Sequence, residues 1–194
     1  MTTGAELPED SLPPLEPVIL EAEEIRLRPW REEDVASLDE PRTDPGHWMP
    51  SASVLGPEMF PAWLERSRGY MAARSGVTWC IADARTDVAL GHIGLFQRNS
   101  PLTDWAELGY QLVPRARGRG VAKAAARLVI AHGRRPTSEG GLGLRRFIAE
   151  TAADNEASNG VLRSVGFVVF GREHAVDLLP DGTYQDALHW ELLP

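Results

Sequence analysis

The stretch from Ala106 to Thr151 constrains the fold more than any other. A strand-like run, AELGYQL (106–112), enters a turn of three arginines and two glycines, PRARGRG. An alanine-rich segment (about 119–132) with helical periodicity follows, and then a second strand-like run, LRRFIAET (144–151). A strand, a helix and a strand in this order form a parallel pair joined by a right-handed crossover. Glycine-rich backbone at the carboxyl end of the first strand of such a unit is a common place to hold a ligand.

The rest of the chain sets this unit inside a larger sheet. EEIRLRPW alternates Ile25 and Leu27 with Arg26 and Arg28, as a half-buried strand does, and Pro29 ends it. REEDVASL reads as a short helix with acidic residues in its first turn. DEPRTDPGHWMPSASVLG is a loop by composition. Pro57 suits the first position of a second helix, along which Phe60, Trp63, Leu64, Ser67, Tyr70 and Met71 share a face. VTWCIAD and VALGHIGLF, with AELGYQL, predict an antiparallel meander. Gly133 is expected to stop the central helix as its C′ residue. NEASNGVLRSV forms a last helix closed by Gly166, and FVVFGREHAVDLL with TYQDALHWELL a hairpin across PDG. The expected class is mixed α/β: a mostly antiparallel sheet of about seven strands flanked by about four helices. Residues 1–17, acidic and proline-rich, read as a loosely attached tail before one domain over 18–194.

Composition narrows the function. A net charge of −8 argues against a general nucleic-acid binder, and no apolar run is long enough to span a membrane. The single cysteine, Cys80, permits no internal disulfide, fits a reducing cytoplasm, and reads as a small core residue. Lys123 is the only lysine among 20 basic residues, so an individual arginine carries little information.

The turn before the central helix is expected to bind an anion. A helix N-terminus presents unpaired N–H groups and roughly half a unit of positive charge. Gly118 and Gly120 let the backbone curl round a ligand, and Arg115, Arg117, Arg119 and Lys123 add charge. A solvated arginine-rich cap is the alternative. GRGVAKAAA has no hydroxyl beside a lysine to hold magnesium, and GRGVAK lacks the third glycine of a dinucleotide fingerprint.

Arg115, Gly118 and Gly120 form Arg-x-x-Gly-x-Gly, which resembles the acyl-CoA pyrophosphate loop of the GNAT N-acetyltransferase superfamily. IRLRPWREEDVASL, AELGYQLVPRARGRGVA, NEASNGVLRSVGF and DGTYQDALHWEL resemble, in order, segments of its RimJ/RimL-like branch, the ribosomal-protein N-alpha-acetyltransferases. The resemblance covers about residues 23–193 and implies the acyl-CoA N-acyltransferase fold. It implies acetyl transfer from acetyl-CoA to a primary amine in a ternary complex, with no metal. The backbone of Leu112 and Val113 would pair with the pantetheine arm, and the amides of Arg117, Gly118, Arg119, Gly120, Val121 and Ala122 would hold the pyrophosphate. Gly109 is a candidate for the irregularity that splays this strand from the next, although a glycine in a strand equally marks close packing. Asn155 would bind the pantetheine, although an N-cap role suits it equally.

The acceptor amine must arrive neutral, which is easier for an α-amino group (pKa about 7.7–8) than for lysine (about 10.4) by about 3.5 kcal/mol. Glu107 matches the strand position that carries the base in related enzymes; a surface carboxylate paired with an arginine is its alternative. Asp177 is the second candidate base. His174 reads better as a surface or packed residue. Where many relatives carry a tyrosine as general acid this chain has Leu162, so Ser158 is expected to hydrogen-bond the departing thiolate. Trp48, Met49 and Tyr184 are expected walls of the acceptor pocket. The acceptor reads as a protein N-terminus or peptide-like amine. A small amine such as a polyamine or aminoglycoside, another acyl donor, or a non-catalytic CoA-binding module are the alternatives. Homodimers are common in the family, and the chain carries no signature of one.

Overall fold

The computed structural model describes residues 13–38, 58, 60–97, 103–179 and 181–194. Strands β1 (Leu20–Glu21), β2 (Ile25–Arg28), β3 (Gly76–Asp83), β4 (Ala89–Phe96), β5 (Trp105–Leu112), β6 (Arg146–Ala152), β7 (Val168–Leu178) and β8 (Tyr184–Leu192) form one sheet. Its order is β1-β2-β3-β4-β5-β6-β8-β7. Every pairing is antiparallel except β5 with β6. Helices α1 (Phe60–Ala72), α2 (Val121–Arg134) and α3 (Glu156–Ser164), with 3-10 helices over Glu32–Leu38, Pro114–Ala116 and Thr137–Glu139, complete the described architecture.

This is the expected class with one more strand. β1 contributes two residues, with Leu20 opposite Leu27, too short a run to show a period in sequence. The described end of the expected tail is also attached. Leu15 donates its N–H to the Met71 carbonyl at 3.0 Å, and the Val18 carbonyl accepts from Trp79 Nε1 at 2.8 Å.

The helices divide between the two faces. Trp79 meets His132 of α2 with ring centroids 5.9 Å apart, whereas His92 meets Trp63 of α1 at 5.3 Å. Because side chains alternate along a strand, the unbroken register from β3 up to Ile81 through β4 to β5 carries these faces across. Trp79, Ile93 and Tyr110 lie in lateral register on the α2 face. Gln111, opposite His92, and Glu107, opposite Phe96, lie on the α1 face, where Phe96 meets Tyr70 of α1. The α1 stripe is close to that expected: Phe60, Trp63, Leu64 and Ser67 are buried, although Tyr70 is 37% exposed. Pro57 lies outside the described residues. Cys80 is a core residue whose thiol burial pushes far above its usual range.

Two expectations are corrected. Gly133 does not stop α2 as a C′ residue; it lies within the helix, which runs on to Arg134. A Cβ on Gly133 would come within 2.8 Å of the Phe147 ring, so this glycine permits close helix–sheet contact. Arg28 does not point outward as the alternation of β2 predicts, and is only 2% exposed. It donates two hydrogen bonds to Asp34 at 2.8 and 2.7 Å and one to Asp87 at 3.0 Å. Gly166, in contrast, closes α3 as expected. It sits at φ +99°, with Gly166 N–H on the Arg163 carbonyl and Phe167 N–H on that of Leu162. These two bonds are the Schellman pattern, and both Leu162 and Phe167 are buried in the core.

Removing one partner of a buried ion pair leaves an uncompensated charge, at a cost of about 3–5 kcal/mol. Asp34→Ala is therefore expected to destabilise the protein by that amount in urea unfolding, against less than about 0.5 kcal/mol for the surface change Glu156→Ala.

Candidate active site

β5 and β6 pair only over Trp105–Glu107 and Arg146–Ile148. β6 then continues against β8 to Ala152, while β5 continues against β4 to Leu112. The two strands therefore part beyond Glu107. Val113 N–H donates to the Leu90 carbonyl at 2.9 Å, which sets the phase of the β4–β5 ladder. By that phase the peptide groups of Leu108, Tyr110 and Leu112 point away from β4, toward the side that β6 has left. Gly109 is not the irregularity expected of it, because the β4–β5 register runs unbroken through Gly94 opposite Gly109.

The N-terminal turn of α3 faces this opening. Tyr110 Oη lies 2.8 Å from Ser158 Oγ and donates to the Ser158 carbonyl at 3.3 Å. Burial pushes the Tyr110 phenol above its usual pKa, and the Ser158 bond opposes this only in part, so it stays protonated at neutral pH. Asn155 is the helix N-cap, its Oδ1 accepting the Ser158 N–H at 3.1 Å. A buried chain of polar groups holds α3 down. Trp190 Nε1 donates to Thr151 Oγ1 at 2.8 Å, Thr151 Oγ1 to Asn159 Oδ1 at 2.6 Å, and Asn159 Nδ2 to the Ala153 carbonyl at 3.0 Å. Tyr110 escaped the sequence reading. The signal was the missing tyrosine at Leu162 together with a tyrosine elsewhere on a strand of the same site.

At the end of β5 the loop forms as expected. Gly118 and Gly120 adopt φ of +69° and +78°, and a Cβ on either would touch nothing within 4 Å. The glycines are thus required for backbone conformation, not for space. Gly120 is the N-cap of α2, and its carbonyl accepts from Ala124 N–H. The N–H groups of Val121, Ala122 and Lys123 precede that first intrahelical bond. Arg119 is exposed at the loop surface. Arg115 ties the loop to its surroundings, donating to the Ser37 carbonyl at 3.2 Å and the Ala89 carbonyl at 2.8 Å. Arg117 donates from Nε and Nη2 to the Leu112 carbonyl at 3.2 and 3.0 Å.

The remaining candidates divide. Glu107 stands where β5 and β6 part, between Phe96 and Ile148, on the face opposite Tyr110. Asp177 pairs with Gln185, and Tyr184 with Leu178, near the hairpin turn; Tyr184 is 61% exposed. Trp48 and Met49 lie outside the described residues. His174 is a surface residue, 2.9 Å from Asp186 through Nδ1. Among the described residues no cluster of His, Cys, Asp or Glu is suited to a metal ion, and no helix is long and apolar enough to cross a membrane.

Asp186 anchors a bulge in β7, where the register slips between Glu173 and Asp177 and Ala175 sits at φ +53°. Its carboxylate accepts from the Ala175 N–H at 2.9 Å and from Arg172 Nε at 2.8 Å. These donors lower its pKa to about 2. A depressed carboxylate pKa stabilises the fold above its unfolded value, near 3.9, and that contribution is lost as pH falls through the folded value. The Ala175 amide resonance is expected to titrate with a midpoint near 2; a midpoint near 4 would show that the anchor is not formed.

The comparisons agree with this geometry. Residues 24–168 match the model of the acetyltransferase (GNAT) domain. RimL, the ribosomal L7/L12 alpha-N-protein acetyltransferase solved with coenzyme A, has a similar fold: TM-score 0.74, 18% identity, covering 91% of this chain and 98% of that one. The ribosomal-protein-S5-alanine acetyltransferase of Vibrio fischeri gives 0.73, 19%, 91% and 96%. The microcin C7 self-immunity acetyltransferase MccE, solved with acetyl-CoA and AMP, gives 0.70, 18%, 89% and 94%. Comparison with curated proteins found no match. With its family model spanning most of the chain, and the parted strands and glycine loop in place, the protein belongs to the GNAT acetyltransferase domain family.

Proposed function

We propose that the chain transfers an acetyl group from acetyl-CoA to a primary amine, in the manner of the RimJ/RimL-like branch, with a protein N-terminal or peptide-like amine as acceptor. One observation carries the reading: beyond Glu107 the edge of β5 has no strand partner, and it leads straight into a glycine loop at a helix N-terminus. An extended arm with amides can pair along Leu108, Tyr110 and Leu112 as an added strand. The amides from Gly118 to Ala122 then meet its diphosphate, where N–H groups and the helix dipole act together; the Arg117 N–H is already bonded to the Pro114 carbonyl at 3.1 Å. Val113 contributes position only, since its N–H is bonded to Leu90.

The hydroxyl pair of Ser158 and Tyr110 supplies a proton or hydrogen bond to the departing thiolate. Ser158 is held by the Asn155 cap, and Tyr110 keeps its proton because burial raises its pKa. Glu107, on the opposite face, receives the proton of the incoming amine directly or through water. The gap between β5 and β6 connects the two faces, so donor and acceptor approach the thioester from different sides. We assign Asp177 and Tyr184 of the terminal hairpin to the acceptor side. The single buried cysteine fits a reducing cytoplasm. A small-molecule amine is the second reading, supported by the similar fold of MccE, a self-immunity enzyme.

CoA release from acetyl-CoA, measured against N-terminal peptides, lysine peptides, polyamines and aminoglycosides, tests the reading. Turnover on N-terminal peptides is expected; turnover on a small amine alone would favour the second reading. Glu107→Gln and Ser158→Ala are each expected to lower kcat by about 10²-fold or more, with the donor Kd held within about twofold. Wild-type kcat in either variant removes that residue from the chemistry. Gly120→Asp is expected to raise the CoA Kd at least about tenfold through strained backbone and charge repulsion, and calorimetry showing no change would rule the loop out as the diphosphate site.

A further inference from the structure

Leu112 is the last residue of β5 before the loop, and its carbonyl points into the gap rather than toward β4. Two donors of one guanidinium, Arg117 Nε and Nη2, converge on that single oxygen at 3.2 and 3.0 Å. A donor arm lying along β5 must displace them to use the same carbonyl. Arg117 belongs to the loop itself, immediately before Gly118, and its side chain is exposed. A guanidinium meets a phosphate with opposite full charges and can bond it bidentately, which a single neutral carbonyl oxygen does not offer. A diphosphate settling on the amides that follow Arg117 therefore draws the guanidinium off Leu112 and frees the carbonyl for the arm. A pantetheine arm without a diphosphate must break the same two bonds and offers the arginine nothing in exchange.

Building on the acetyl-CoA reading of this site, we infer that Arg117 is a specificity-determining residue: it covers the Leu112 carbonyl and yields it to donors that carry a diphosphate, in preference to bare pantetheine thioesters. The arginine acts here through its own peptide neighbourhood, and its effect has opposite signs for the two kinds of ligand. A simple phosphate-binding arginine weakens CoA when removed and leaves pantetheine unchanged. A covering arginine, when removed, also makes pantetheine bind more tightly.

The test compares CoA and pantetheine binding to the wild type, Arg117→Ala and Arg117→Lys by calorimetry, direct for CoA and by displacement for pantetheine. Loss of two exposed hydrogen bonds to one acceptor corresponds to a factor of about 3 to 10. Arg117→Ala is expected to bind pantetheine more tightly by about that factor and CoA more weakly by about threefold or more. Arg117→Lys keeps the charge without the paired donors, and is expected to bind CoA within about twofold of wild type while still gaining pantetheine affinity. In the ligand-free protein the Leu112 carbonyl carbon resonance is expected to move upfield in Arg117→Ala. Pantetheine affinity that is unchanged or weaker in Arg117→Ala, or a Leu112 resonance that does not move, overturns the inference. Wild-type protein that binds no CoA overturns the acetyl-CoA reading instead, so the two failures are distinguishable.

Discussion

A peptide group in a sheet needs a partner, and β5 has been given one on only one side for half its length. Its antiparallel contact with β4 runs to Leu112, but its parallel contact with β6 ends at Glu107. Unpaired N–H and C=O groups that turn away from water cost free energy comparable to lost hydrogen bonds. The edge beyond Glu107, where Arg117 covers the Leu112 carbonyl, has the form that an added strand-like segment can pair with. Everything around it either keeps β6 away or closes the ends of the opening. α3 occupies the far side, with Ser158 against Tyr110, and the glycine loop lies at the carboxyl end.

The surrounding contacts hold this opening in shape. β6 stays paired with β8 over Phe147–Ala152, and the chain from Trp190 through Thr151 to Asn159 joins β8, β6 and α3 with buried hydrogen bonds. Such a network is strong only when every member is satisfied, and here the last amide is also satisfied by the Ala153 carbonyl. At the other end α3 stops in a tight Schellman turn, which explains a leucine at 162: its side chain is 0% exposed and serves the core. A leucine there has no proton to donate. Tyr110, arriving from the strand, brings a phenol to the same helix.

On the opposite side of the sheet, the Arg28–Asp34–Asp87 cluster fixes the 3-10 helix and the β3–β4 turn to β2. Arg115 joins that helix to the loop through the Ser37 carbonyl. The loop thus rests on two supports, its own helix α2 and the segment just before the expected acceptor loop. Arg115 and Arg117, two residues apart in one motif, serve backbone carbonyls in different elements. Their charges alone would have assigned both to an anion.

Much of this was legible in the sequence, for definite physical reasons. Alternation and turn residues depend on neighbours along the chain, so the meander, the crossover, the Gly118 and Gly120 loop, the Asn155 cap and the Gly166 stop could all be read from spacing. Features that depend on contacts between distant segments could not. Gly133 has the composition of a helix stop, yet Phe147, from another strand, makes it a packing residue. Arg28 fits an outward position until Asp34 and Asp87 surround it. Gly109 looked like the cause of the splay, whereas the β4–β5 register runs unbroken past it and the pairing with β6 has already ended at Glu107. The sequence by itself determined the order of elements and the chemistry of the loop, since both follow from local backbone preference. Only the tertiary structure decided that Tyr110 meets Ser158, that Glu107 lies on the opposite face, and that Arg117 covers the Leu112 carbonyl, because each depends on where separate elements come to rest against one another.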